Sequence, residues 1–245
     1  MDRILYTAMS GARQSMDQQS VVSNNLANAS TTGFRGQMQA LRAVPVQGDG
    51  ALATRTSVMA STPGADFSAG PMNATGRDLD VAMQGDAWLA VQATNGDEAY
   101  TRRGDLQVDG DGVLNSAGRP VIGEGGPIIV PLGAKLSMGA DGTLSAIGAG
   151  EDPDALVQIG RLKLVNGGEA DLQRGEDGLF RGPEGALPMD ENARLVSGAL
   201  EGSNVSPVES MVAMIDNGRR YEMQMKVIDT ADQNAQRADS LLSIQ

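Results

Sequence analysis

The sequence predicts an α+β protein: long N- and C-terminal helices paired as an α-helical coiled-coil stalk, with a central all-β domain of hairpins inserted between them. Three observations carry this. Apolar residues recur at helical spacing over both ends of the chain, the middle switches to short runs rich in Val, Ile and Leu, and Gly, Pro, Asn and Asp separate those runs.

In the first segment Leu5, Met9, Ala12, Met16, Val22 and Leu26 fall at steps of three, four or their multiples, with Gln19 filling the one gap. The stripe predicts a helix over about residues 3–28, about 39 Å long at the usual rise. Asn24, Asn25 and Asn28 crowd its end, and the Thr-Thr-Gly-Phe that closes with Gly33 and Phe34 supplies a stop and a turn.

Residues 40–75 are rich in Ala, Ser, Thr, Gly and Pro, with scattered apolar residues. They predict a long extended connection, which inside a compact domain implies a function or a surface to lie on. From 76 to 196 the pattern is β. Leu79–Met83, Trp88–Thr94, Pro127–Pro131 and Leu156–Val165 read as strands, and Asp-Gly steps at Asp111-Gly112, Asp141-Gly142 and Asp177-Gly178 suit the positive φ angles of type I′ hairpin turns.

The last helix announces itself at Ser206, Pro207 and Glu209, a capping box with proline at the first helical position. Met211, Met214, Gly218, Tyr221, Met225, Ile228, Ala235 and Leu242 then follow a 3,4 spacing interrupted by Asp232 and Asp239, close to a heptad seam. From Pro207 to Ser243 it would span about 55 Å. Four segments result: a helix and turn at 1–39, an arm at 40–75, a β domain at 76–196 and a helical end at 197–245.

Composition narrows the chemistry. The chain of 245 residues carries a net charge of −12 and has no histidine and no cysteine. Histidine is the commonest general base and metal ligand, so its absence removes Ser-His and Cys-His catalysis, and without cysteine there is no disulfide or thiolate site. Lys135, Lys163 and Lys226 sit in no phosphate-binding loop, and the acidic balance argues against nucleic acid. Asp109-Gly110-Asp111-Gly112 starts like a calcium loop, but Val113 stands where a further ligand is needed and a hairpin turn is the simpler account. No cofactor, metal, catalytic residue or small-molecule substrate is expected. The N-terminus lacks the apolar core of a cleavable signal peptide, and no stretch is long and apolar enough for membrane insertion.

The first helix is unusual in its lack of charge. From Met1 to Phe34 only Asp2, Arg3, Arg13 and Asp17 are charged, and Gln14, Gln18, Gln19, Ser20, Ser23, Asn24 and Asn25 are expected on the outer face. Amides hydrogen-bond across a packed interface without the desolvation cost of an ion. A helix buried on all sides in an assembly explains this, with Ala8, Gly11, Ala12 and Ala27 letting neighbours approach closely. The expected helix–helix and assembly interface is therefore the two stripes together with the asparagines.

"NNLANASTTGF" resembles the N-terminal signature of bacterial flagellar rod and hook proteins, and "LEGSNVSPVESMVAMIDNGRRYEMQMKVIDTADQNA" resembles their C-terminal helix. "LDVAMQGDAWLAVQ", "YTRRGDLQVDGDGVLNSAGRPVIG" and "PIIVP" are similar to the β domain that these proteins share, and stretches such as "MDRILYTAMSGA" and "STPGAD" are nearest to proximal-rod members. Thr32 departs from the pattern, since many relatives carry proline before the glycine. The resemblance implies a structural subunit of the periplasm-spanning rod of the basal body, with the terminal helices forming an inner tube. It implies self or neighbouring subunits and other rod proteins, proximal and distal, as partners, and delivery by the flagellar type III export apparatus. A distal-rod or hook subunit is the alternative within the family, and a periplasmic binding or enzymatic module of the β domain the alternative outside it.

Overall fold

The computed structural model describes residues 2–38, 41–45, 56–60, 64–148, 156–168, 172–183 and 185–242. The chain divides into two compact units, one of residues 1–29, 36–66 and 205–245, the other of residues 30–35 and 67–204.

The first unit is built on helices α1 (Asp2–Ala27) and α2 (Pro207–Leu242). α1 ends where Asn28 turns back on it: its N–H reaches the carbonyls of Asn24 and Asn25 at 3.1 and 3.2 Å, and its side-chain amide donates to the Asn24 carbonyl at 2.9 Å. Last-turn carbonyls that a helix leaves open are thereby satisfied. α2 begins on Ser206, whose Oγ accepts the Glu209 N–H at 3.3 Å. That is one arm of the capping box. Separately, Ser210 Oγ donates to the Ser206 carbonyl at 2.9 Å, and the Glu209 carboxylate lies in the first turn where the helix dipole favours it.

The two helices lie against each other along stripes that differ from the expected ones in part. On α1 the covered residues run Leu5, Ala8, Ala12, Ser15, Gln19, Val22 and Leu26; on α2 they run Ser210, Met214, Asn217, Tyr221, Gln224, Ile228, Ala231 and Ala235. Both keep the 3,4 step. The correction is a single-residue offset at five positions: Ala8 and Ser15 replace Met9 and Met16, and Ser210, Asn217 and Gln224 replace Met211, Gly218 and Met225. The reason is steric, since small side chains let helix axes approach. At Gly11 an added Cβ would stand 3.0 Å from the Gln224 amide. Gln14, expected to face outward, is also buried. Leu242 ends α2, but its side chain lies outside the described residues.

The arm is not simply extended. Leu41–Pro45 pairs antiparallel with Thr56–Ala60, Gln37–Met38 pairs with Gly64–Ala65, and Met72–Ala74 in the second unit pairs with Ala199–Glu201. Residues 40, 46–55 and 61–63 of that expected connection lie outside the described residues. Backbone groups that an extended arm would leave to water are thus used in ladders. Asn25 extends the pairing to α1, its Nδ2 donating to the Gln37 carbonyl at 2.9 Å while its Oδ1 accepts the Gln37 N–H at 2.7 Å.

The second unit is antiparallel β. A five-stranded sheet runs in the order Leu164–Asn166, Ala87–Gln92, Glu98–Thr101, Phe180–Arg181, Gln173–Arg174. Lys135–Met138, Thr143–Ile147 and Val157–Arg161 make a second sheet, and Leu106–Val108, Leu114–Ser116 and Arg119–Pro120 a third. The run expected as one strand at Leu156–Val165 is divided between two sheets at Leu162 and Lys163. Val81, Leu89, Val91, Leu106, Leu114, Val121, Leu144 and Leu162 are fully buried in one aliphatic core. The strand Ala87–Gln92 is covered on both faces, with Trp88 and Ala90 on the side opposite that core; this is why "AWLAVQ" is continuously apolar. Trp88 packs on Phe180 at 4.7 Å between ring centroids and on Phe67 at 5.9 Å.

The Asp-Gly turns form hairpins, but not of type I′. In Asp109–Val113, Gly139–Thr143 and Gly175–Leu179 the first N–H donates to the fifth carbonyl, and the fourth residue, a glycine, donates its N–H to the first carbonyl at 3.0–3.1 Å. Gly112, Gly142 and Gly178 have φ of 83°, 85° and 78°, whereas the only non-glycine with positive φ among the described residues is Ala117. Each is a three-residue loop, a type I turn followed by a left-handed glycine. Asp141 and Asp177 stay right-handed because their carboxylates accept the N–H two residues on. Ala93–Asp97 closes in the same way on Asn95-Gly96, with Gly96 at φ 88°.

Two outcomes follow for unfolding in urea. Gly178→Ala, with nothing within 4 Å of the added Cβ, is expected to cost about 1 kcal/mol through its φ alone, and Gly112→Ala more, since its Cβ would stand 2.6 Å from the Val130 carbonyl oxygen. Asp177 has its pKa lowered to about 2, chiefly by the hydrogen bond from Arg181 and then by the Leu179 N–H and Arg119, against burial. A lowered folded-state pKa makes that stability present above about pH 4 and lost as pH falls toward 2. Acid titrations of the midpoint should therefore be shallower over that window for Asp177→Asn.

Candidate assembly interface

The offset of the helix stripes leaves a second apolar face uncovered. On α1, Tyr6, Met9 and Met16 are exposed; on α2, Val208, Met211, Val212 and Ile215 recur at helical spacing, followed by Met223, Met225 and Val227. Met9 and Met16 are each 59 % exposed and Val208 70 %. Exposed apolar patches are a common feature of surfaces that meet partners, and methionine adapts to irregular ones. Ala12 is buried and Leu5, Val22, Leu26, Met214, Tyr221 and Ile228 are half-buried in the first unit, so the predicted residues separate into an internal set and an outward set. Asn24 is exposed, but Asn25 and Asn28 have their side chains engaged at Gln37 and Asn24 within their own chain.

Gly33 and Phe34, expected as a turn, belong to a buried ionic cluster that sequence reasoning missed. Arg35 is 1 % exposed and its Nη2 meets Glu201 Oε1 at 2.7 Å; Arg102 Nη1 lies 3.5 Å from Glu201 Oε2. Glu201 also accepts the Gly70 N–H at 3.0 Å. The Arg102 guanidinium further donates to the carbonyls of Met83 and Gly85, and its carbon lies 5.2 Å from the Trp88 ring centroid. Burial pushes the Arg102 pKa down, opposed by the Glu201 charge and reinforced by Arg35. The available signal was weak: one arginine in "TTGFRGQ" and one glutamate in "LEGSNVS", 166 residues apart.

A carboxylate held this way cannot be removed cheaply, because two buried cations lose their counter-charge. Glu201→Ala is expected to cost about 3–5 kcal/mol. Glu201→Gln should cost less, since it keeps an acceptor for the Gly70 N–H; paired urea melts read the difference.

Among the described residues no helix is long and apolar enough to cross a membrane. Three family models match in chain order: the flagella basal body rod protein over residues 5–35, the D1 domain of the flagellar hook protein FlgE/F/G over 82–146, and the C-terminal part of the flagellar basal body rod FlgEFG proteins over 196–241. The chain is 55 % identical to the flagellar basal-body rod protein FlgF of Salmonella typhimurium and 53 % to that of Escherichia coli, each over the whole of both chains. It is 32 % identical to FlgF of Caulobacter vibrioides, over 94 % of this chain and 93 % of the relative. The matched ends are the helices that carry the exposed methionines and the turn that carries Arg35. The chain belongs to the FlgF family of flagellar basal-body rod proteins, structural subunits of the basal body rather than enzymes.

Proposed function

We propose that this rod subunit stands in the proximal rod and assembles helically with copies of itself and with neighbouring proximal and distal rod proteins, forming part of the shaft that passes motor torque to the hook. In this arrangement α1 and α2 act as a coiled-coil pair lining an inner tube. The observation that carries it is the uncovered apolar face of Met9, Met16, Val208, Met211, Val212, Ile215 and Met225 beside a seam closed by small and amide residues. An α-helical face that large is stable in water only when covered, and long helices packed side by side resist twisting.

The chain reaches its place in the periplasm-spanning rod through the flagellar type III export apparatus. The net charge of −12 opposes self-association before assembly. Amide-lined helix ends order fully on packing into neighbours.

Met16→Asp and Met225→Asp each place a charge on the uncovered face. Both are expected to abolish rod assembly and swimming while the β unit keeps its native near-ultraviolet spectrum. Normal motility with either variant contradicts this arrangement. Hydrogen exchange on the monomer gives a second check: residues 5–35 and 207–242 should exchange faster than 81–147 and become protected on assembly.

A further inference from the structure

The segment Ser30–Arg35 leaves one unit, seats in the other, and returns at Gly36. None of it is in a strand or helix. It is held residue by residue. Gly33 donates its N–H to the Glu201 carbonyl at 2.7 Å and sits at φ 65° so close to the Arg102–Arg103 backbone that a Cβ would stand 2.3 Å from the Arg102 carbonyl carbon. The Phe34 carbonyl accepts the Asn204 N–H at 3.3 Å, and its ring lies under Arg174, 4.7 Å from the guanidinium carbon. Arg174 also donates to the Arg35 carbonyl at 2.8 Å, and the Arg35 side chain ends on Glu201.

This is how a peptide is bound: a slot that admits only glycine, a cation over an aromatic ring, and a buried carboxylate for an arginine. We propose that the β unit carries a peptide-binding site, formed by Trp88, Arg102, Arg174, Glu201 and Asn204, whose ligand class is an extended Gly-aromatic-Arg segment. In the folded chain its own Gly33-Phe34-Arg35 occupies that site. Because the bound segment contributes no strand, it is exchangeable for the same sequence supplied from outside. The inference stands apart from the assembly surface on the helices and does not rest on it.

Trp88 is the one tryptophan in the sequence, and the Arg35 guanidinium carbon lies 5.9 Å from its ring, so its emission reports occupancy. The test uses the full-length chain carrying Gly33→Val, which keeps its own segment out, and a synthetic peptide of residues 29–37. Saturable one-to-one binding at least tenfold tighter than to the wild-type chain is expected, falling at least tenfold when Arg35 in the peptide is replaced by alanine. Equal affinity for the two chains, or no loss on the alanine replacement, overturns the proposal. If Gly33→Val does not fold, the full-length Arg35→Ala chain takes its place, because it leaves the segment's backbone unaltered. It must bind the wild-type peptide at least tenfold tighter than the wild-type chain does, and failure to do so has the same consequence.

Discussion

The fold depends on one carboxylate kept from water. Glu201 stands at the end of the strand Ala199–Glu201, and Arg35, Arg102 and the Gly70 N–H converge on it from three stretches distant in sequence. A buried charge of this kind tolerates few geometries, because each missing partner costs several kcal/mol. It fixes where residues 30–35 seat, and Gly33 and Phe34 take their places from it. The two guanidiniums that meet it, of Arg35 and Arg102, lie 5.9 and 5.2 Å from the Trp88 ring centroid.

How much of this was legible follows from the range of each interaction. Helix spans, the Ser206 cap and the strand character of the middle rest on contacts within a few residues, so periodicity and turn residues revealed them. The stripes were legible in period but not in phase. Apolar spacing selects Met9 and Met211, whereas packing selects the smaller Ala8 and Ser210 beside them, and only the partner helix decides between neighbours one residue apart. The hairpins were found from Asp-Gly, but the turn type depends on loop length, which the dipeptide does not record. Arg35 and Glu201 had no local signature because their meaning lies in a contact across most of the chain.

The core of the β unit is aliphatic, dominated by leucine, valine and alanine. Aliphatic strands in antiparallel register fill space evenly, and three-residue turns leave little slack between them. The helices pack differently. By burying alanine, serine and glutamine inside their own pair, they leave larger apolar side chains such as Met9, Met16, Met211 and Ile215 exposed.

That exposure has a chemical side. Before the outward face is covered, Met9, Met16, Met211, Met223 and Met225 present thioether sulfur to solvent. Oxidation to the sulfoxide turns a flexible apolar side chain into a polar one. A single oxygen atom added there would make the face polar without disturbing the β unit, and in the proposed assembly the same atoms become sheltered by a neighbour. On that arrangement, the interval before assembly is the time at which an oxidant does most harm.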